Sequence, residues 1–599
     1  MKKQLLCALT LAFGLTNVTS VTAQERYLDE IFTDAEIVKA QSNELYGINV
    51  DYLGNQQLLS DAYVNANIAQ IQTEHEEIRD SLLAGIQGGY SPDIPVKYFT
   101  PFSLDPSTAI KLINPIPNNP PASLNPFQQG MLDMYMPNPQ IDPETERPVI
   151  VFIHTGNFLP KGVNVGVTGS KDDSASVELC KQWAKRGYIA VAANYRLGWN
   201  PNPGVPQSEK TKSLLNAVYR AIIDMKQVVR GVRVNAASIN ADADNIMLFG
   251  QGSGGYVALA YNFLDRWEET SLPKFDPDAT GNVVIDTNIV GQPSGFGGVL
   301  NFYQYQMLPQ VPATVSLIAN AGGALGDRSW IEGKAEEAPV VTFHSFRDEF
   351  APFETGTVIV PTTQEPVVDA DGPNIFMPIV NSFGLNDAFA TLPAVDPYTG
   401  RARSLYGATF TSDLPAGFFP GGSVTVSNDA EGLFTIESAL GYSAPWEWWS
   451  EADFTAYYNY LDQLGVSLQP LNSILAGAAD GNVNQKASSL AYIDSIQGYL
   501  NPRIMRAAQI GNWEALSTVE LGENTPSLRF YPNPTSGIIN FTGATVNNLE
   551  VINLNGQVVK MAQPNVATGY VDVSDLPSGL YIVKSTTEIG TETSRIVIE

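Results

Sequence analysis

A glycine-rich run, Gly250-Gln251-Gly252-Ser253-Gly254-Gly255, follows the apolar segment Asn245-Ile246-Met247-Leu248-Phe249 and precedes a helical pattern from Tyr256 to Arg266. Such a succession is a tight strand-to-helix turn, and Ser253 places one hydroxyl in it. A hydroxyl becomes a nucleophile only beside a base that removes its proton. The chain offers three histidines, His75, His154 and His344, and none after His344. Buried structural roles are the expectation for His154 and His344. Clusters of His, Cys and Asp at metal-ligand spacing are absent. Asp276-Pro277-Asp278-Ala279-Thr280-Gly281-Asn282 has the look of a calcium loop but lacks the closing bidentate Glu, so it reads as a surface turn. The glycine run also lacks the Lys-Ser/Thr of a phosphate-binding loop. No metal and no cofactor are expected.

The elements that hold these residues alternate short apolar runs with longer amphipathic ones, the pattern of strand–helix–strand units around a mostly parallel sheet. Met131 to Met136 alternates with period two, whereas Pro148-Val149-Ile150-Val151-Phe152-Ile153 is continuously apolar, as a strand covered on both faces must be. Helical spacing over Val177 to Arg186 runs into Gly187 and then the strand Tyr188 to Ala193, and Ser213 to Asn235 reads as a long helix. Further strands are predicted at Thr314 to Ala319 and Pro339 to Phe343. Residues 351–450 are rich in Gly, Pro and Asp with little periodicity, which suits an insertion or lid. A helical region is predicted from Trp446 to about Trp513.

Both ends differ from this body. Met1-Lys2-Lys3, the apolar run Leu5 to Leu15 and Val21-Thr22-Ala23 form a secretory signal peptide over residues 1–23, cleaved near Ala23. Its loss moves the formal charge from −28 to −30, because Lys2 and Lys3 depart with it. So acidic a chain is a poor partner for nucleic acid. Cys7 leaves with the signal and only Cys180 remains, so no intramolecular disulfide is expected. No later apolar stretch is long enough to span a membrane. Residues 24–130 form an extension and a Pro/Asn-rich linker, with Glu74 to Leu83 a candidate helix carrying His75. Residues 131–513 form the main α/β unit and 514–527 a second linker. From 528 to 599 short strands punctuated by Asn533-Pro534, Asn555-Gly556 and Ser578-Gly579 predict a small all-β sandwich.

Six segments between 131 and 353 resemble the α/β-hydrolase superfamily in its carboxylesterase-like branch. They are Leu132 to Pro137, Phe152-Ile153-His154-Thr155-Gly156-Asn157-Phe158, Gly187-Tyr188 with Asn194 to Gly198, the helix bearing Arg220, Asp224 and Arg230, Phe249 to Gly255, and Phe343 to Asp348. The resemblance implies a doubly wound, mostly parallel sheet. It makes residues 250–254 the nucleophile elbow, whose nucleophile position is Gly252 rather than serine. It makes Asp348 the acid position and Gly156, Asn157 and Ser253 the oxyanion residues. Glycine keeps the bend without its hydroxyl. Ser253, one position on, is the alternative nucleophile, with His344 or a carboxylate as its base; otherwise it caps the following helix. Asp348 without an imidazole is a turn-capping carboxylate.

Phe530-Tyr531-Pro532-Asn533-Pro534-Thr535-Ser536-Gly537, Asn555 to Val559, Asp575 to Val583 and Arg595 to Glu599 resemble the type A sorting domain of the type IX secretion system of the Bacteroidetes. That resemblance implies passage through the periplasm and outer membrane, the secretion machinery as partner, and release or attachment at the cell surface. The expected function is binding of a ligand or glycan by a catalytically degenerate esterase fold. An active hydrolase using Ser253 and a structural surface component are the alternatives.

Overall fold

Alternation along the buried strands divides the body's core into two layers. In the computed structural model, Val149, Val151 and Ile153 face one cluster with Ile246 and Leu248, while Ile150 and Phe152 face the other with Met247 and Phe249. Both faces of the sheet are thus covered, which is why these strands are continuously apolar. The structure describes residues 25–50, 127–298, 311–450, 486–516 and 528–598 apart from short gaps, with isolated positions elsewhere. The signal peptide, the Glu74 to Leu83 helix with His75, and most of the 101–130 and 514–527 segments lie outside the described residues.

Eight strands build the main sheet: β1 (Ile37–Val50), β2 (Phe127–Pro137), β3 (Arg147–Ile153), β4 (Ile189–Ala193), β5 (Ala241–Gln251), β6 (Leu317–Ala321), β7 (Val340–Ser345) and β8 (Leu433–Ile436). Their order is β1-β2-β4-β3-β5-β6-β7-β8. The first three in that order pair antiparallel and the rest parallel. The sheet is doubly wound, with helices Gln207–Ile239 and Ser253–Phe263 on one face and Ser174–Lys185 and Lys486–Ala508 on the other.

The leading segment supplies β1, an edge strand broken by three register shifts against β2. The low-pattern region between 351 and 450 contains a hairpin (Thr355–Ile359 with Pro366–Asp371), the helices Pro373–Ser382 and Pro397–Ser404, and β8 itself. It therefore supplies one edge of the sheet. In the long helix Asp224 is fully buried and pairs with Arg196 at 2.8 Å. Arg230 donates to the Ser294 carbonyl at 2.6 Å. These charges tie the helix to the loop after β4 and to a neighbouring loop.

The C-terminal unit has six antiparallel strands, β9 (Arg529–Tyr531), β10 (Ile538–Asn553), β11 (Val558–Ala562), β12 (Val566–Asp572), β13 (Gly579–Thr587) and β14 (Gly590–Ile598). Long β10 pairs with β9, β11, β12 and β13, and a bridge from Thr535 to Ile598 brings the sheet close to a barrel. Its core, including Ile539, Phe541, Val551 and Val583, is separate from both layers of the body.

Candidate functional site

The turn from β5 into the helix Ser253–Phe263 demands glycine on both sides of Gly252. A Cβ on Gly250 would collide with the Gly254 carbonyl, and one on Gly254 with the Ile153 carbonyl. Gly252 itself has φ +53° and ψ −118°, a backbone that side chains adopt only under strain. The elbow is intact without a side chain at its apex.

Thr155, which sequence reasoning passed over, stands at that apex. A Cβ on Gly252 would fall inside contact distance of Thr155 Oγ1 and 3.0 Å from Thr155 Cβ. The space a seryl side chain would need is thus filled by a hydroxyl from the loop after β3. In that loop Asn157 and Phe158 both have positive φ, +55° and +58°, which for side-chain-bearing residues marks strain held by the surroundings. Trp199 Nε1 donates to the Asn157 carbonyl at 2.8 Å and Gly198 N to the Phe158 carbonyl at 2.7 Å, so the loop after β4 holds it.

Ser253 is the first residue of its helix, with Gly252 at the cap position and no side-chain cap bond. The expectation that Ser253 caps the helix is corrected here. Its Oγ lies 3.1 Å from Tyr195 Oη, and Tyr195 donates to the His154 carbonyl at 3.0 Å. Burial raises the Tyr195 phenol above its ordinary range. A neutral phenol is no base for Ser253.

His154 stacks on Tyr195, with ring centroids 4.6 Å apart, and its Nδ1 lies 2.5 Å from the Thr155 carbonyl. Its Nε2 is buried with no hydrogen-bond partner among the described residues, so only half of this imidazole has the bonded role expected of it. His344 donates from Nε2 to the Ala351 carbonyl at 3.0 Å. Complete burial pushes its pKa down to about 4. Asp348 Oδ1 accepts from the backbone of Phe350 and Ala351 at 2.9 Å each, the turn-capping role expected of it. His344 and Asp348 are 3.9 Å apart.

Gly156, Asn157, Gly252, Ser253 and Asp348 all line one cleft of about 390 Å³; His344 does not. Glu447, a second residue missed in the sequence, also lines it. It sits in the segment that follows β8, accepts from Thr168 Oγ1 at 3.2 Å and bonds Gln251 Nε2. Burial, reinforced by nearby Asp173, pushes its pKa up to about 7. Because its unfolded carboxyl titrates lower, the native state is favoured while Glu447 is protonated and loses stability as pH rises toward and through 7. Glu447→Gln should therefore raise thermal stability at about pH 8 by the equivalent of roughly 1–2 kcal/mol, with little change near pH 5. Differential scanning calorimetry at the two pH values measures this; an equal shift at both would contradict it.

Asp276 binds its own turn, accepting from Gly281 N at 2.7 Å, and Asp278 pairs with Lys212 of the long helix at 2.5 Å. Asp265, Glu269 and Glu332 cluster elsewhere but are bonded to Arg266 and Lys334. No helix among the described residues is long and apolar enough to cross a membrane.

Comparison with known proteins finds relatives for two segments of the chain. Residues 132–289 match the family model described as BD-FAE, and residues 529–599 that described as Secretion system C-terminal sorting domain. A curated relative, Secreted lipase 5 of Gibberella zeae, is 25% identical over 308 residues, covering 45% of this chain and 54% of the lipase. The chain thus spans about half the length of that relative. Solved structures that match include MGS-M1, an alpha/beta hydrolase enzyme from a Medee basin deep-sea metagenome library, at 12% identity over 37% of this chain and 66% of that one, with TM-score 0.22. Native esterase 2 of Thermogutta terrifontis matches at 20% identity over 38% and 69%, also with TM-score 0.22. Residues 132–289 lie in an α/β-hydrolase-like domain of the BD-FAE kind, residues 529–599 are a secretion system C-terminal sorting domain, and the protein is secreted or attached at the cell surface.

Proposed function

We propose that this exported protein acts by binding, through an esterase-like cleft that has lost its nucleophile. The observation that carries the reading is the apex of the elbow, where Gly252 has no hydroxyl and Thr155 fills the space one would occupy. Further support comes from the basic groups. His344 is buried outside the cleft with its Nε2 committed to a backbone carbonyl, and His154 is buried against Tyr195. An open cleft of this size, within the usual range for small-molecule sites, favours binding over a purely structural role at the surface.

The competing reading is a hydrolase that uses Ser253. Its hydroxyl does line the cleft, but its recorded side-chain partner, Tyr195, is held neutral by burial. The mature protein should not be labelled by a serine-directed fluorophosphonate. Oxyanion donors and binding alone can still accelerate hydrolysis of short-chain p-nitrophenyl esters by about 10³–10⁴-fold over water, so labelling rather than weak turnover decides between the readings. Labelling that Ser253→Ala abolishes would establish the enzyme instead.

A further inference from the structure

The cleft is chemically one-sided. Its wall away from the elbow is apolar, formed by Leu215, Val218, Phe275, Trp330, Val360 and Val368. Its other end carries the carboxyls of Asp348 and Glu447 and the phenol of Tyr256. No Lys, Arg or His side chain lines it among the described residues. The two carboxyl-bearing segments converge there: a Cβ on Gly322 would lie 3.4 Å from the Ser443 carbonyl and 3.9 Å from Asp348 Oδ2. The Tyr256 hydroxyl is buried without a hydrogen-bond partner among the described residues, close enough to Asp348 to feel its charge.

The nearby cations are already engaged. Lys161 pairs with Asp173 at 3.0 Å, and Lys171 pairs with Asp133 at 2.7 Å and Asp172 at 3.2 Å. Asp173 also accepts from the backbone of Gly169 and Ser170, and its charge repels that of Glu447. On the same side His154 is kept neutral by burial. An anionic head group entering this end would meet negative charge in a poorly hydrated space. A cationic one would meet attraction strengthened by the same desolvation.

We infer that the cleft is a receptor site for a positively charged amphiphile, its ammonium head held at the Glu447–Asp348 end and its apolar body laid against the Trp330 wall. The inference rests on reading the cleft as a binding site. Tyr256 supplies a phenolic oxygen as a further acceptor for an ammonium N–H, and the ring of Trp330 favours an apolar or cationic neighbour.

The test is calorimetric titration of the full mature protein with n-octylammonium, 1-octanol and octanoate at about pH 6 and about pH 8.5. Octylammonium should bind at least about tenfold more tightly than octanoate at the higher pH. Its affinity should rise several-fold from the lower pH to the higher as Glu447 ionises. Glu447→Gln should abolish that rise, whereas Val368→Trp, which narrows the apolar wall, should weaken octylammonium and octanol alike without altering it. Equal or tighter binding of octanoate at pH 8.5, or octylammonium binding that neither substitution changes, would overturn the assignment. Fluorophosphonate labelling of the same preparation would instead remove the binding reading beneath it, so the two failures are separable.

Discussion

Gly252→Ser should yield a protein that is less stable by about 2–6 kcal/mol and no more active. The new side chain is placed on a backbone at φ +53°, where strain costs on the order of 1–3 kcal/mol. It must also displace Thr155, and overpacking of this kind typically costs about 1–3 kcal/mol. The steric share belongs to a pair of residues, so it should be recovered in Gly252→Ser/Thr155→Gly. A double-mutant cycle by chemical denaturation should then show a coupling of roughly 1–3 kcal/mol between positions 252 and 155. Additive losses would mean that Thr155 does not hold the seryl space.

Restoring the space does not restore chemistry. In the double variant the serine would have His344 buried outside the cleft and committed to Ala351, and Glu447 across Gln251 as the neighbouring titratable group. A histidine after the acid in chain order is what the esterase pattern requires, and Glu447 lies in the segment following the last strand of the sheet. Fluorophosphonate labelling is therefore expected only when Glu447→His is added to the pair. Labelling of Gly252→Ser alone would show that the missing hydroxyl was the sole defect.

The parts of this arrangement that sequence patterns revealed are those whose side chains have few alternatives. β3 and β5 are covered on both faces, so their apolar runs were unmistakable, and the glycines at 250 and 254 were demanded by backbone contacts that no side chain could accommodate. β8 is only four residues long and sits among glycines and prolines, so its place in the sheet was hidden. β1 is a polar, irregular edge strand, and its pairing with β2 left no periodic trace. Thr155 and Glu447 were missed for another reason: their roles come from proximity across loops distant in sequence. The place of Thr155 directly before Gly156, one of the oxyanion residues that the resemblance implied, was the one visible signal, and it gains meaning only beside Gly252.

Removal of residues 529–599 should reduce the extracellular and surface-attached protein by at least an order of magnitude while leaving the body folded inside the cell envelope. Among the described residues, the core of the sorting domain contains none before Leu528, and the two layers of the body contain none beyond Leu516. An ion pair at 2.9 Å joins Arg595 to Asp494, and both side chains are far enough exposed to be solvated when it breaks, so its loss costs little. Truncation thus leaves the body's core closed, as expected of separately cored units, while removing the surface that marks the chain for export. Two measurements distinguish retention from misfolding: the distribution of the truncated protein between medium, surface and periplasm, and the cooperativity of its thermal unfolding after recovery. A cooperative transition in retained protein is the expected pair of results. Truncated protein reaching the medium at the normal level would overturn the export role of residues 529–599, and aggregation of the recovered body would show that its core depends on the tail.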